Sequence, residues 1–161
     1  MAETVGAEST IREERRPITA LFADLVGSTA LAERLDEAEV KLIVGDAVAR
    51  MVVEVERLGG YVKDLAGDGV LAFFGAPVAS EDDAERALLA GLQIVESIGS
   101  YAVDIERAWE ISGFGVRVGI TTGPVVVGAL VTGERGASAT DEPVSSSSMT
   151  PTAWLSRIRS L

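Results

Sequence analysis

Two aspartates, Asp24 and Asp68, carry the clearest chemistry in this chain. Asp24 stands in Ala20-Leu21-Phe22-Ala23-Asp24-Leu25-Val26-Gly27-Ser28-Thr29, and Asp68 in Lys63-Asp64-Leu65-Ala66-Gly67-Asp68-Gly69-Val70-Leu71-Ala72-Phe73-Phe74. Each reads as a carboxylate at a strand end beside a glycine-rich turn. Two such carboxylates, if they meet, can bridge divalent cations about 3.5–4 Å apart. Mg2+ takes one or two protein carboxylates and completes its shell with phosphate oxygens and water. The chemistry that follows is phosphoryl transfer, with the cations activating a hydroxyl and neutralising charge on the transferring group. Val26, Gly27, Ser28 and Thr29 lead from Asp24 into a predicted helix. Free backbone N–H groups at such a start favour phosphate oxygens. Lys63 is a candidate for reading a base or balancing phosphate charge.

Each of these signals alone has a plainer meaning. An aspartate at a strand end is usually a turn or cap residue. Gly67-Asp68-Gly69 alone specifies a hairpin, and Lys63 alone is a solvated strand lysine. Asp82-Asp83 reads as the acidic start of a helix, complementing its dipole. The absences narrow the choice. The chain has no Cys and no His, which removes thiol catalysis, disulfides, a Ser-His triad and zinc-hydrolase ligands. A net charge of −11 argues against a nucleic-acid partner. Neither the Gly-x-x-x-x-Gly-Lys-Ser/Thr loop nor Gly-x-Gly-x-x-Gly after a strand is present. No unbroken apolar run approaches the ~20 residues of a membrane helix, and the N-terminus lacks a secretory signal's apolar core. The expectation is a cytoplasmic protein with no membrane segment.

The elements that must position these residues follow from local pattern. At 161 residues and 47% apolar, the chain is one domain with a real core. Residues 1–16 are expected as a disordered lead-in, 17–135 as the domain, and 136–161, with their serine run, as a disordered tail. Ile18 to Ala23 suits a buried strand. Asp36 with Glu39 forms a capping-box signature. Val40, Ile43, Val44, Ala47, Val48, Met51, Val52, Val55 and Leu58 then keep helical spacing up to Gly59-Gly60. Tyr61–Leu65 and Val70–Phe74 read as a hairpin. Ser80 and Asp83 open a helix that runs on to Trp109, with Gly99 as a bend. Val116–Thr121 and Val125–Val131 read as a second hairpin around Thr122-Gly123-Pro124. Antiparallel hairpins with long helices predict an α+β sandwich.

Taken together, the aspartate segments and Arg117-Val118-Gly119-Ile120-Thr121-Thr122-Gly123-Pro124-Val125-Val126-Val127-Gly128 resemble the class III adenylate/guanylate cyclase catalytic domain, in order and spacing, from about Pro17 to Arg135. The resemblance implies a ferredoxin-like, antiparallel-rich sheet covered by helices, the nucleotidyl cyclase palm. It implies conversion of ATP or GTP, with ATP preferred here, to a 3′,5′-cyclic nucleotide and pyrophosphate with Mg2+ or Mn2+. Asp24, Asp68 and the Leu25 carbonyl match metal ligands. Val26, Gly27, Ser28 and Thr29 match the triphosphate segment, and Lys63 the purine reader of a partner's site. The implied assembly is a homodimer, or a heterodimer with another cyclase domain, each site being shared across the interface.

Two departures stand out. Lys63 lies five residues before Asp68, where the family spacing is four and Asp64 holds the place. A one-residue bulge would absorb this. The family's Gly-Asp-x-Val-Asn-x-x-x-Arg segment has no counterpart after Arg135, and the chain contains no Asn. That pattern predicts a truncation or a reading-frame change there, and an impaired enzyme with no catalytic side chain beyond the metal ligands. The alternative is a non-catalytic metal-nucleotide-binding or dimerisation module.

Overall fold

The computed structural model describes residues 11–130, and the side chains of 15–125. The elements run β1 (Ile11–Val26), α1 (Ser28–Arg34), α2 (Glu37–Arg57), β2 (Tyr61–Ala66), β3 (Gly69–Phe74), α3 (Asp83–Trp109) and β4 (Gly115–Leu130). The strands form one sheet in the order β2-β3-β1-β4, every neighbouring pair antiparallel. This is the predicted α+β architecture. Alternation along the strands decides which face the helices cover. Leu21, Ala23 and Leu25 of β1 and Val70, Ala72 and Phe74 of β3 join Ile43, Ala47, Met51 and Val55 of α2 and Ala87, Ala90, Ile94 and Ile98 of α3 in one core. Phe22 and Asp24 point to the other face.

Helix α2 begins as its sequence dictates. The Glu39 N–H donates to Asp36 Oδ1 at 2.8 Å, and the Asp36 N–H donates to Glu39 Oε2 at 3.2 Å. Gly59, at φ 75°, ends it. Helix α3 runs unbroken through Gly99. It is also, by length and composition, long and apolar enough to cross a membrane, which a search for an unbroken apolar run passes over. In this fold its Ala87, Ala90, Ile94, Ile98 and Ile105 are buried against the sheet and α2.

Two expectations about strands need correction. Strand β1 starts at Ile11, inside the segment expected to be a disordered lead-in. The hairpin expected at Thr122-Gly123-Pro124 does not form. β4 is a single strand, paired with β1 without a register break from Val26↔Gly115 to Ile11↔Leu130. A turn-like tripeptide reverses the chain only when no neighbour holds it extended, and β1 is long enough to do so. Pro17 falls opposite Pro124, so the two missing N–H groups share one rung of the ladder. The expected tail, 136–161, and the reading-frame expectation attached to it lie outside the described residues.

Candidate active site

The site is built where β1 ends and the β2–β3 hairpin turns. Ala66 pairs with Gly69, leaving Gly67 and Asp68 as a two-residue turn. Gly67 has φ 60° and Asp68 does not share the positive φ. This matches a II′ turn, which asks for glycine at its first central position. The turn places Asp68 against β1, where the Leu25 N–H donates to the Asp68 carbonyl at 3.1 Å. Asp24 lies opposite Gly69, the next residue along. The backbone ladder therefore fixes the two carboxylates at the same end of adjacent strands.

Close packing around the turn depends on two glycines. A Cβ on Gly69 would stand 3.0 Å from the Ala23 carbonyl oxygen and 3.7 Å from Asp24 Oδ1. A side chain there would press into the space beside the carboxylate. Gly27 precedes α1 at φ 84°, and a Cβ on it would meet the Gly113 carbonyl oxygen at 2.5 Å. The tight corner from β1 into α1 thus requires glycine twice over, for its φ and for its neighbour.

Both aspartates have protein partners. Ser28 Oγ donates to Asp68 Oδ2 at 2.9 Å. Arg117 Nη2 donates to Asp24 Oδ2 at 2.7 Å, an ion pair whose side chains are 67% and 33% exposed. Asp24, Leu25, Val26, Gly27, Ser28, Thr29 and Asp68 are therefore gathered in one place. Lys63 is not among them. It sits on β2, separated from β1 by β3, at the point where the register jumps from Val62↔Ala72 to Asp64↔Leu71. The bulge lies where the five-residue spacing required one.

Arg117 is the residue that motif reading missed as a participant. It falls in a quoted motif but gains its meaning only from the β1–β4 register, which sets it opposite Asp24. The site is an open surface. Two grooves, of about 560 and 440 Å3, run along α2, and neither has Asp24 or Asp68 in its wall. Among the described residues no cluster of three or more acidic side chains forms a ready cation cage. Two carboxylates with room beside them suit a cation whose remaining ligands come from phosphate and water.

The model of the adenylate and guanylate cyclase catalytic domain matches residues 11–137. The chain belongs to the adenylate and guanylate cyclase catalytic-domain family. The fold agrees. The crystal structure of the guanylyl cyclase Cya2 is 33% identical with a TM-score of 0.64, covering 76% of this chain and 61% of that one. The adenylyl cyclase CyaB from P. aeruginosa is 27% identical with a TM-score of 0.65, covering 78% and 63%. Adenylate cyclase 1 of Rhizobium meliloti is 31% identical over 121 residues, 75% of this chain and 18% of the relative. An uncharacterized protein of Mycobacterium tuberculosis is 30% identical over 115 residues, 71% and 20%. The chain spans about a fifth of these curated relatives and under two thirds of the Cya2 and CyaB chains.

Proposed function

We propose that this cyclase-family domain binds a purine nucleoside triphosphate together with divalent cations and carries the metal half of a nucleotidyl cyclase site. The observation that carries this reading is the pairing of Asp24 with Gly69 and of the Leu25 N–H with the Asp68 carbonyl. It brings the two aspartates to one open end of the sheet. Asp24, Asp68 and the Leu25 carbonyl would hold Mg2+ or Mn2+. When bound, the cations would favour the alkoxide form of the ribose 3′-OH and offset charge on the α-phosphate. Val26, Gly27, Ser28 and Thr29 would line the triphosphate path. Gly69 keeps the approach to Asp24 free of a side chain. Lys63, on its bulge, would read the purine, and ATP is the substrate we propose. Because the site is open, its completion falls to a second cyclase domain, in a homodimer or a heterodimer. We place the protein in the cytoplasm, where its substrate is made.

The 161-residue chain alone is expected to turn over slowly if at all. The Asn and Arg implied by the family have no counterpart, and loss of one electrostatic transition-state donor costs about 10²–10³ in rate. Calorimetry with Mn2+ and a non-cyclisable ATP or GTP analogue, beside an assay for cyclic AMP and cyclic GMP, tests both statements. Tight analogue binding with no product supports the reading. Rapid cyclisation would overturn the expected impairment, and no binding of either analogue would overturn the metal-nucleotide assignment. The chain's lack of any Asn favours a second reading, a binding or dimerisation module that lends its aspartates to a complete partner. Restored activity on mixing with an aspartate-deficient cyclase domain would single it out.

A further inference from the structure

Both candidate ligands are already engaged, but by donors of different kinds. Ser28, on Asp68, is a neutral hydroxyl that rotates and can accept as well as donate, so it does not repel a cation. Arg117, on Asp24, is a cation with donors only. A cation approaching Asp24 must either displace the guanidinium or sit against a like charge. The pair is exposed enough to be exchanged, since ion pairs of this kind are worth about fivefold or less in an equilibrium. The strand register also keeps Arg117 close: its backbone stays opposite Asp24 whatever its side chain does.

We propose that Arg117 is an exchangeable latch on Asp24. It withholds the carboxylate from a lone cation. When a polyphosphate arrives, Arg117 turns to its oxygens and leaves Asp24 to the cation that travels with it. The planar guanidinium fork suits this, because it pairs with carboxylate and phosphate in the same bidentate geometry. Cation and polyphosphate then favour each other's binding by the same factor, as linkage requires. The proposal rests on the reading of Asp24 as a metal ligand.

A double-mutant cycle on the full chain tests the latch without metal. Inorganic tripolyphosphate is titrated calorimetrically in EDTA into the wild type, Asp24→Asn, Arg117→Gln and the double variant, each checked by circular dichroism. Freeing Arg117 in Asp24→Asn should tighten tripolyphosphate up to about fivefold, the full worth of the pair, and the gain should vanish in the Arg117→Gln background. The same gain in both backgrounds would mean only a through-space charge effect and would overturn the latch. So would a wild type and an Asp24→Asn that bind alike, or fail to bind. A second arm follows free Mn2+ by electron paramagnetic resonance without polyphosphate. Arg117→Gln should bind Mn2+ about threefold more tightly than the wild type, and an unchanged affinity overturns the latch. If Asp24→Asn leaves Mn2+ binding at the wild-type level, the metal reading itself fails, an outcome separate from the metal-free cycle.

Discussion

The two ends of the sheet are built to opposite plans. At the far end of β3, Asp83 and Arg86 clasp the start of α3 to the end of α2. The Ser80 N–H donates to Asp83 Oδ2 at 2.7 Å, and Arg86 pairs with both Asp82 and Asp83. Arg86 Nη1 also donates to the Leu58 carbonyl at the end of α2 at 2.8 Å. The Asp83 and Arg86 side chains are 11% and 24% exposed, against 33% and 67% for Asp24 and Arg117. At one end charge is sheltered, multiply bonded and ties α2 to α3. At the other it is open and held by single, replaceable contacts. Stability resides in charge that cannot leave its partner, and ligand binding needs charge that can.

Substitutions can break or sharpen this contrast. The largest effect is expected from Asp83→Ala, which takes from Arg86 its most sheltered partner and from the Ser80 N–H its acceptor. Unfolding free energy measured in urea should fall by about 3 kcal/mol, the scale for removing one partner of a sheltered ion pair. Mn2+ affinity should change little. Gly27→Ala comes next, at about 2 kcal/mol, because it forces a side chain into left-handed backbone and against the Gly113 carbonyl. A smaller loss would mean that the corner into α1 yields. Asp68→Asn should keep the Ser28 hydrogen bond and change stability by less than about 1 kcal/mol. Its Mn2+-ATP affinity should drop at least about tenfold, as the lost ligand charge demands. A stability loss as large as that of Asp83→Ala would erase the distinction between the two ends.

The smallest effect concerns pH. The hydrogen bond with Ser80, followed by that with Arg86, holds Asp82 below the ordinary carboxylate range. A carboxylate with a lowered folded pKa contributes stability above its unfolded value of about 3.9. That contribution fades as pH falls through the folded value. Acid unfolding of Asp82→Asn, followed by circular dichroism from pH 5 to pH 2, should therefore show a slightly shallower slope than the wild type. An identical slope would remove Asp82 from the clasp.

Much of this was legible in the sequence where the cause is local. The Asp36/Glu39 box, the apolar spacing of α2 and the glycine before Asp68 each act within a few residues, and each stands as read. The two aspartate motifs announced their strand ends for the same reason. What escaped depends on partners distant in sequence. Thr122-Gly123-Pro124 has turn composition, yet β1 holds it straight. Residues 11–16 look like charged linker, but pairing with β4 makes them strand. Arg117 and Asp24 are 93 residues apart and meet only through register.

The bulge at Lys63 has a consequence for how such a chain tolerates change in length. On its turn side the rungs Asp64↔Leu71, Leu65↔Val70 and Ala66↔Gly69 are regular, and on its other side so are Tyr61↔Phe73 and Val62↔Ala72. The extra residue is absorbed at one position of an outer strand, and the rungs on both sides of it stay paired. Strand β2 can thus gain or lose a single codon without disturbing the hairpin tip. Insertion and deletion, usually fatal inside a sheet, become here a route by which the strand drifts while the carboxylate it delivers stays in place.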